Sequence, residues 1–153
     1  MNITGIDHIY LAVTDFARSE EFYDRVMETL GFKKSDEWLH GEPHAHYLRP
    51  TLQITLRPAR GNAKHDSYSA GLHHLCLQAA TKADIDEAYR ALTSLGIAAT
   101  KPKLYPEYNP EYYATFFEDP DGIRLEIVGR TGTRQSLADR WHEFKTFLNP
   151  WAS

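Results

Sequence analysis

Cysteine is almost absent from this sequence: Cys76 is the only one among 153 residues. A single cysteine cannot form an intrachain disulfide, and a lone thiol suits a reducing compartment. No apolar run approaches the roughly 20 residues that a membrane-spanning helix needs, because Asp7 and His8 interrupt the apolar N-terminal segment. That segment also lacks the basic start and small-residue cleavage site of a signal peptide. The sequence therefore predicts a cytoplasmic protein that does not bind membranes.

A basic cluster is also lacking, since the net charge is −4 and the lysines and arginines are dispersed. A chain without a basic patch is not expected to bind nucleic acid. The composition, with 42% hydrophobic and 25% charged residues, is that of a globular protein. A chain of this length predicts one domain of ordinary size, or two small halves that share a core.

The most informative feature is a repeat of two short apolar segments. "GIDHIYLAV" occupies residues 5–13 and "GLHHLCLQA" occupies residues 71–79, and their alignment places His8 opposite His74. A single histidine in a strand is usually a hydrogen-bonded core residue. Two histidines at matching positions of a repeat indicate a shared function.

Each repeated segment is followed by a predicted helix. The first begins after Thr14-Asp15 and ends at Gly31, with apolar residues at helical spacing between them. The second begins at Thr81, which forms a predicted capping box with Asp84, and ends at Gly96. Strand-like segments then complete each half. They are 32–39, 44–49 and 51–57 in the first half, and 98–104, 112–118 and 123–129 in the second.

The predicted fold is therefore α+β, with a β-α-β-β-β unit present twice. We expect a single domain over residues 1–130, with repeats at 3–57 and 71–129 joined by the linker 58–70. The tail 131–153 has apolar residues on one face of a predicted helix. Two roles remain open for this predicted helix: it covers the sheet, or it extends a contact between subunits.

Alternation along the strands separates two faces, because successive side chains point to opposite sides. One face of the first and last strand of each half is fully apolar and is predicted to carry the helices. The other face holds His8, Gln53, His74 and Glu126. A sheet that curves around this second face would enclose a polar cavity.

Two imidazoles and one carboxylate are suitable ligands for a divalent transition metal. An isolated carboxylate such as Glu126 is costly to bury, and a metal would offset that cost. Pairing of Glu126 with Arg124, or exposure of Glu126 at an open sheet surface, are the alternatives.

Two further segments, "FYDRVMETLGF" and "FFEDPDGIRLEIV", make a resemblance specific. Over about residues 3–130 the chain resembles the vicinal oxygen chelate superfamily, which includes glyoxalase I, extradiol dioxygenases and fosfomycin- and bleomycin-resistance proteins. The resemblance implies an open curved barrel of paired units around a metal, within one chain or across a homodimer. Carried over by position, the ligands are His8, Gln53, His74 and Glu126.

The activity implied by this resemblance is that of a metal-dependent, glyoxalase-like lyase or isomerase. Its substrate would be a small carbonyl or thioester compound that reacts through a metal-chelated enolate, with Ni, Co, Zn, Mn or Fe as the ion. Glu126 is then both ligand and catalytic base, and Gln53 is a weaker ligand where glyoxalase I usually has a carboxylate. The set of four also resembles that of methylmalonyl-CoA epimerase.

Two other functions remain open at this stage. An Fe(II) extradiol-type dioxygenase would use His8, His74 and Glu126 as its ligands, with His46 and Tyr113 as candidates for the additional His and Tyr. A metal-free binding or resistance protein could be built on the same fold.

Two motifs lie outside these assignments. "HGEPHAH", residues 40–46, is either part of a second metal site or a histidine-rich surface hairpin. The tyrosines of "YPEYNPEYY", residues 105–113, either form an aromatic lid over the cavity or simply pack a long loop.

Overall fold

A computed structural model describes residue 2 and residues 5–129, so the predicted helical tail at 131–153 lies outside the described residues. The first half contains β1 (His8–Val13), α1 (Phe16–Thr29), β2 (Lys33–Leu39), β3 (Glu42–Arg49) and β4 (Leu52–Pro58). The second half contains β5 (Leu75–Ala79), α2 (Lys82–Ser94), β6 (Lys103–Leu104), β7 (Tyr113–Glu118) and β8 (Arg124–Gly129). The predicted α+β fold with two β-α-β-β-β units is confirmed.

The two units form two four-stranded mixed sheets with the same topology. The strand orders are β1-β4-β3-β2 and β5-β8-β7-β6. In each sheet the first and last strands of the unit pair in parallel, and the other pairs are antiparallel. Strands β1 and β5 therefore each lie at an edge, and the sheets remain open as the predicted curved barrel requires.

Local sequence signals account for the ends of both helices. Helix α1 begins after Asp15, whose side chain accepts a hydrogen bond from the backbone N–H of Arg18 at 3.1 Å. Helix α2 begins at the predicted capping box between Thr81 and Asp84. Gly31 follows α1 with a φ of +79°, a conformation that glycine adopts without steric cost. Neither helix is long and apolar enough to cross a membrane.

The apolar faces predicted from alternation form the core. Their buried residues are Leu11, Val13, Ile54, Leu56, Leu75, Leu125 and Ile127. These residues belong to one cluster that includes side chains of both helices and both sheets. The two repeats therefore share a hydrophobic core.

Side chains of the turn between β7 and β8 form hydrogen bonds with the first half of the chain. The Asp121 carboxylate accepts hydrogen bonds from the backbone N–H of Thr14 at 2.7 Å, from the Thr14 hydroxyl, and from Arg18 Nη2 at 3.0 Å. The Tyr23 hydroxyl donates to Asp119 Oδ2 at 3.0 Å. Burial raises the pKa of Tyr23, and the neighbouring Asp119 carboxylate raises it further.

Strand β6 is much shorter than the sequence predicts, and β5 begins late in its repeated segment. Strand β6 covers only Lys103–Leu104 of the predicted 98–104, because Pro102 has no N–H to donate to a ladder. Upstream of it, one backbone bond remains, from Thr100 N–H to the Phe116 carbonyl at 2.8 Å. Strand β5 begins at Leu75. His74 therefore lies just before the strand, and its backbone is not part of the strand pairing.

Candidate metal site

Glu126 and His74 lie together on the face of the second sheet that is opposite α2. Glu126 is in β8 and only 2% exposed. Its Oε2 atom lies 3.4 Å from Nε2 of His74. Burying an isolated carboxylate costs free energy. The sequence offered Arg124 as an alternative partner, but within residues 5–129 the ion-pair partner of Glu126 is His74.

The other ring nitrogen of His74 also has a partner. His74 Nδ1 lies 2.7 Å from Nδ1 of His73, so one of the two nitrogens must donate and the other accept. If His74 is the donor, its Nε2 atom keeps a lone pair that faces Glu126. A metal-binding histidine commonly donates its second N–H in this way.

His8 shows the same arrangement on the first sheet. Its Nδ1 atom lies 2.9 Å from Oδ2 of Asp7, and a carboxylate can only accept, so Nδ1 carries the proton. The Nε2 lone pair is then available for a metal, as in carboxylate–histidine–metal triads. The His8 side chain is 52% exposed. Sequence reasoning missed Asp7, although its position directly before His8 was a usable signal.

Gln53 lies opposite His8, since the two residues are Cα partners in the parallel pair of β1 and β4. Its Nε2 atom donates to the Thr55 hydroxyl at 2.9 Å and lies 3.0 Å from Nδ1 of His46. In the second sheet the partner of Glu126 is Cys76, two residues beyond His74. The two repeats are therefore paired in different registers.

The histidine-rich segment forms the tight hairpin between β2 and β3, with positive φ at His40 and Gly41. The hypothesis of a surface hairpin is wrong for His44 and His46, which are 5% and 6% exposed. His46 Nδ1 contacts the Thr55 hydroxyl at 2.9 Å. Its buried Nε2 atom has no hydrogen-bond partner within residues 5–129, and Oε2 of Glu37 lies 3.7 Å from it.

Of the four residues predicted as ligands, His8 lies opposite Gln53 in the first sheet, and His74 lies beside Glu126 in the second. Residues 5–129 of one chain contain no group of three or more His, Cys, Asp or Glu side chains that could hold a metal. This result applies both to the set of His8, His74 and Glu126 and to the second metal site considered at residues 40–46. Within one chain, the two pairs remain separate.

The His74–Glu126 pair has suitable dimensions for a metal. The 3.4 Å between the two ligand atoms is short enough for one ion to contact both. One imidazole nitrogen and one carboxylate oxygen are also a suitable chemical pair for a transition metal.

Tyr112, which the sequence placed only among the loop tyrosines, contacts Glu126. Its hydroxyl donates to Oε1 of Glu126. Tyr113, the predicted candidate, donates instead to Asp86 of α2 at 2.8 Å, and this bond raises the pKa of Tyr113. The nomination of Tyr113 as a cavity residue is therefore wrong, because it lies on the helix side.

Two relatives in sequence are informative. The uncharacterized protein YqjT of Bacillus subtilis is 28% identical over 79% of this chain and 95% of its own length. The 2,2',3-trihydroxybiphenyl dioxygenase of Sphingomonas paucimobilis is 27% identical over 92% of this chain. This chain spans about half of the dioxygenase, since the match covers 46% of that protein.

Solved structures show the same fold. A glyoxylase/bleomycin resistance protein/dioxygenase domain from Frankia superposes with a TM-score of 0.69, at 26% identity over 83% of this chain and 98% of that chain. A mutant of the fosfomycin resistance protein FosX from Listeria monocytogenes, complexed with Mn(II), superposes with a TM-score of 0.66 at 18% identity, covering 90% and 99% of the two chains. The family model described as Glyoxalase/Bleomycin resistance protein/Dioxygenase superfamily matches residues 5–127. The chain therefore belongs to the Glyoxalase/Bleomycin resistance protein/Dioxygenase superfamily.

Proposed function

We propose that this protein is a metal-dependent, glyoxalase-like lyase or isomerase that acts on a small carbonyl or thioester compound. The observation that carries the proposal is the buried Glu126 carboxylate with Oε2 3.4 Å from Nε2 of His74. Divalent metals occur in this superfamily, as the Mn(II) complex of FosX illustrates. Ni, Co, Zn, Mn and Fe are the candidate ions.

The ion would be held by Nε2 of His8 and His74, by Oε2 of Glu126 and, more weakly, by the Gln53 amide oxygen. When bound, a divalent ion stabilises negative charge that develops on substrate oxygens. Gln53 can offer its oxygen to the metal while its Nε2 group keeps the hydrogen bond to Thr55. The contact of Asp7 with His8 and the contact of His73 with His74 orient the two imidazole rings.

Glu126 is also the proposed base. The residue accepts a proton from the carbon next to the substrate carbonyl, so a C–H bond breaks, its electron pair moves towards the carbonyl oxygen, and an O–H bond forms on the Glu126 carboxylate. In this proposal both histidines bind the metal and are not free to accept a proton. Glu126, the carboxylate of the set, is therefore the remaining candidate. Because Glu126 is buried, water has little access to the carboxylate that accepts the proton.

The separation of the two ligand pairs leads to a shared site. We infer that His8 and Gln53 of one chain join His74 and Glu126 of a second copy, in a homodimer with two equivalent sites. The support is that both pairs are partly formed in one chain, but do not converge there among the described residues.

Mixed dimers test this arrangement directly. The wild-type chain, reconstituted with Co(II) or Zn(II), is expected to bind close to one ion per chain by elemental analysis, and His8→Ala and Glu126→Ala to bind little. Differently tagged His8→Ala and Glu126→Ala chains, co-refolded and isolated as mixed dimers, should recover about half of the wild-type metal, because one of the two symmetric sites is intact.

The control is His40→Asn, at an exposed turn histidine whose positive φ asparagine tolerates. It should bind metal like the wild type. Mixed dimers without metal would contradict the shared site, and a wild-type chain without metal would contradict the function itself.

An Fe(II) dioxygenase is the second candidate, favoured by the match to 2,2',3-trihydroxybiphenyl dioxygenase. The two activities separate in one pair of assays. Oxygen uptake with a catechol panel supports the dioxygenase. Solvent deuterium exchange into 2-oxoaldehyde hemithioacetals, 2-hydroxy ketones or acyl thioesters supports proton transfer.

A further inference from the structure

The two oxygens of the Glu126 carboxylate have different neighbours. Oε1 accepts a hydrogen bond from the Tyr112 hydroxyl, whereas Oε2 lies 3.4 Å from Nε2 of His74. Tyr112 is 6% exposed and Glu126 is 2% exposed. The phenol–carboxylate bond is therefore protected from competition by water.

The backbone around Tyr112 fixes the position of its ring. The Tyr112 N–H donates to the Asn109 carbonyl at 2.9 Å, and its own carbonyl accepts from Tyr105 N–H at 2.8 Å. The ring packs edge-on against Tyr108, with centroids 5.2 Å apart. Tyr112 is thus held by its own loop, independently of Glu126.

Carboxylates bind metals through one oxygen or through both. A hydroxyl that already donates to one oxygen competes with the ion for that atom and leaves the other oxygen to it. We propose that Tyr112 is a positioning residue that keeps Glu126 monodentate, with Oε2 towards the metal and Oε1 away from it. The inference rests on the proposed function, because it requires Glu126 to be a ligand.

The test compares Tyr112→Phe with Tyr108→Phe, using Co(II) as the probe. Tyr108 belongs to the same loop and contacts the Tyr112 ring, but its ring is 67% exposed. Loss of a group that orients a metal ligand typically weakens metal binding about 10–100-fold. We expect a loss in this range for Tyr112→Phe in a chelator competition titration, and none for Tyr108→Phe.

The visible spectrum of bound Co(II) gives a second result that a purely structural role would not change. If Glu126 loses its fixed orientation, the coordination geometry of the ion changes and the absorption band of Tyr112→Phe shifts. A third variant combines Tyr112→Phe with Glu126→Ala. It should bind Co(II) no more weakly than Glu126→Ala alone, because Tyr112 acts through Glu126.

Three outcomes would overturn the inference. Wild-type affinity and spectrum in Tyr112→Phe would show that the phenol does not position Glu126, while the proposed function would stand. A further loss in the double variant, equal to that of Tyr112→Phe alone, would show that Tyr112 acts through the fold. Absence of Co(II) binding by the wild-type chain would overturn both proposals together.

Discussion

Replacement of Asp121 by alanine should destabilise the protein strongly. This carboxylate lies in the turn between β7 and β8, its side chain is 4% exposed, and it contacts Thr14 and Arg18 of the first half. The substitution removes three hydrogen bonds between the halves and leaves the Thr14 donors without an acceptor. The perturbation therefore acts on the junction of the two repeats.

The magnitude follows from these contacts. Each of the two Thr14 donors left without a partner costs about 1–3 kcal/mol, towards the lower end because Thr14 is only partly buried. The Arg18 pair contributes about 0–1 kcal/mol, since the arginine side chain is 52% exposed. We expect a total of about 2–5 kcal/mol, a large part of the roughly 5–15 kcal/mol that stabilises a typical domain.

Urea denaturation followed by circular dichroism measures this loss. Arg18→Ala removes only the exposed partner and should cost less than about 1 kcal/mol. Asp121→Asn keeps an acceptor for the Thr14 N–H and should fall between the two. If Asp121→Ala costs no more than Arg18→Ala, the turn does not hold the halves together and the reasoning is refuted.

Three further predictions concern the candidate site and the turn between β7 and β8. Gln53→Ala should weaken Co(II) binding much less than Glu126→Ala, because an amide oxygen is a weaker ligand than a carboxylate; equal losses in a chelator competition titration would contradict this grading. Glu126→Gln should retain some metal yet lose about 10²–10⁴-fold in solvent deuterium exchange, and wild-type exchange rates would place the base elsewhere. Burial raises the pKa of Asp119 above its ordinary 3.8. The wild type should therefore lose stability relative to Asp119→Asn as pH rises through that raised pKa. A constant difference between the urea midpoints of the two proteins from pH 3.5 to 7 would contradict this.

The regular elements follow from local sequence signals, which explains why the fold could be predicted. Asp15 and Thr81 cap their helices through hydrogen bonds within a few residues. Alternation along β4 and β8 separates apolar from polar side chains without any knowledge of their partners. The exception is β6, where the predicted strand is cut short by Pro102.

The contacts of the candidate site were less accessible to sequence reasoning. Tyr112 and Tyr113 are adjacent, and only the path of the loop before β7 decides which one contacts Glu126 and which one contacts Asp86. The burial of His46 likewise depends on packing across strands rather than on its own segment. The ligand assignments of His8, Gln53, His74 and Glu126 remain predictions.

Strands β1 and β5 have a consequence for solubility. Each pairs with only one neighbour among the described residues, β1 with β4 and β5 with β8, so its outer side carries backbone N–H and C=O groups without a strand partner. Such edges are templates for pairing with other chains and are a common origin of aggregation. The protein is therefore expected to depend on covering both edges at once, and in the proposed homodimer, dissociation should promote precipitation before it promotes unfolding.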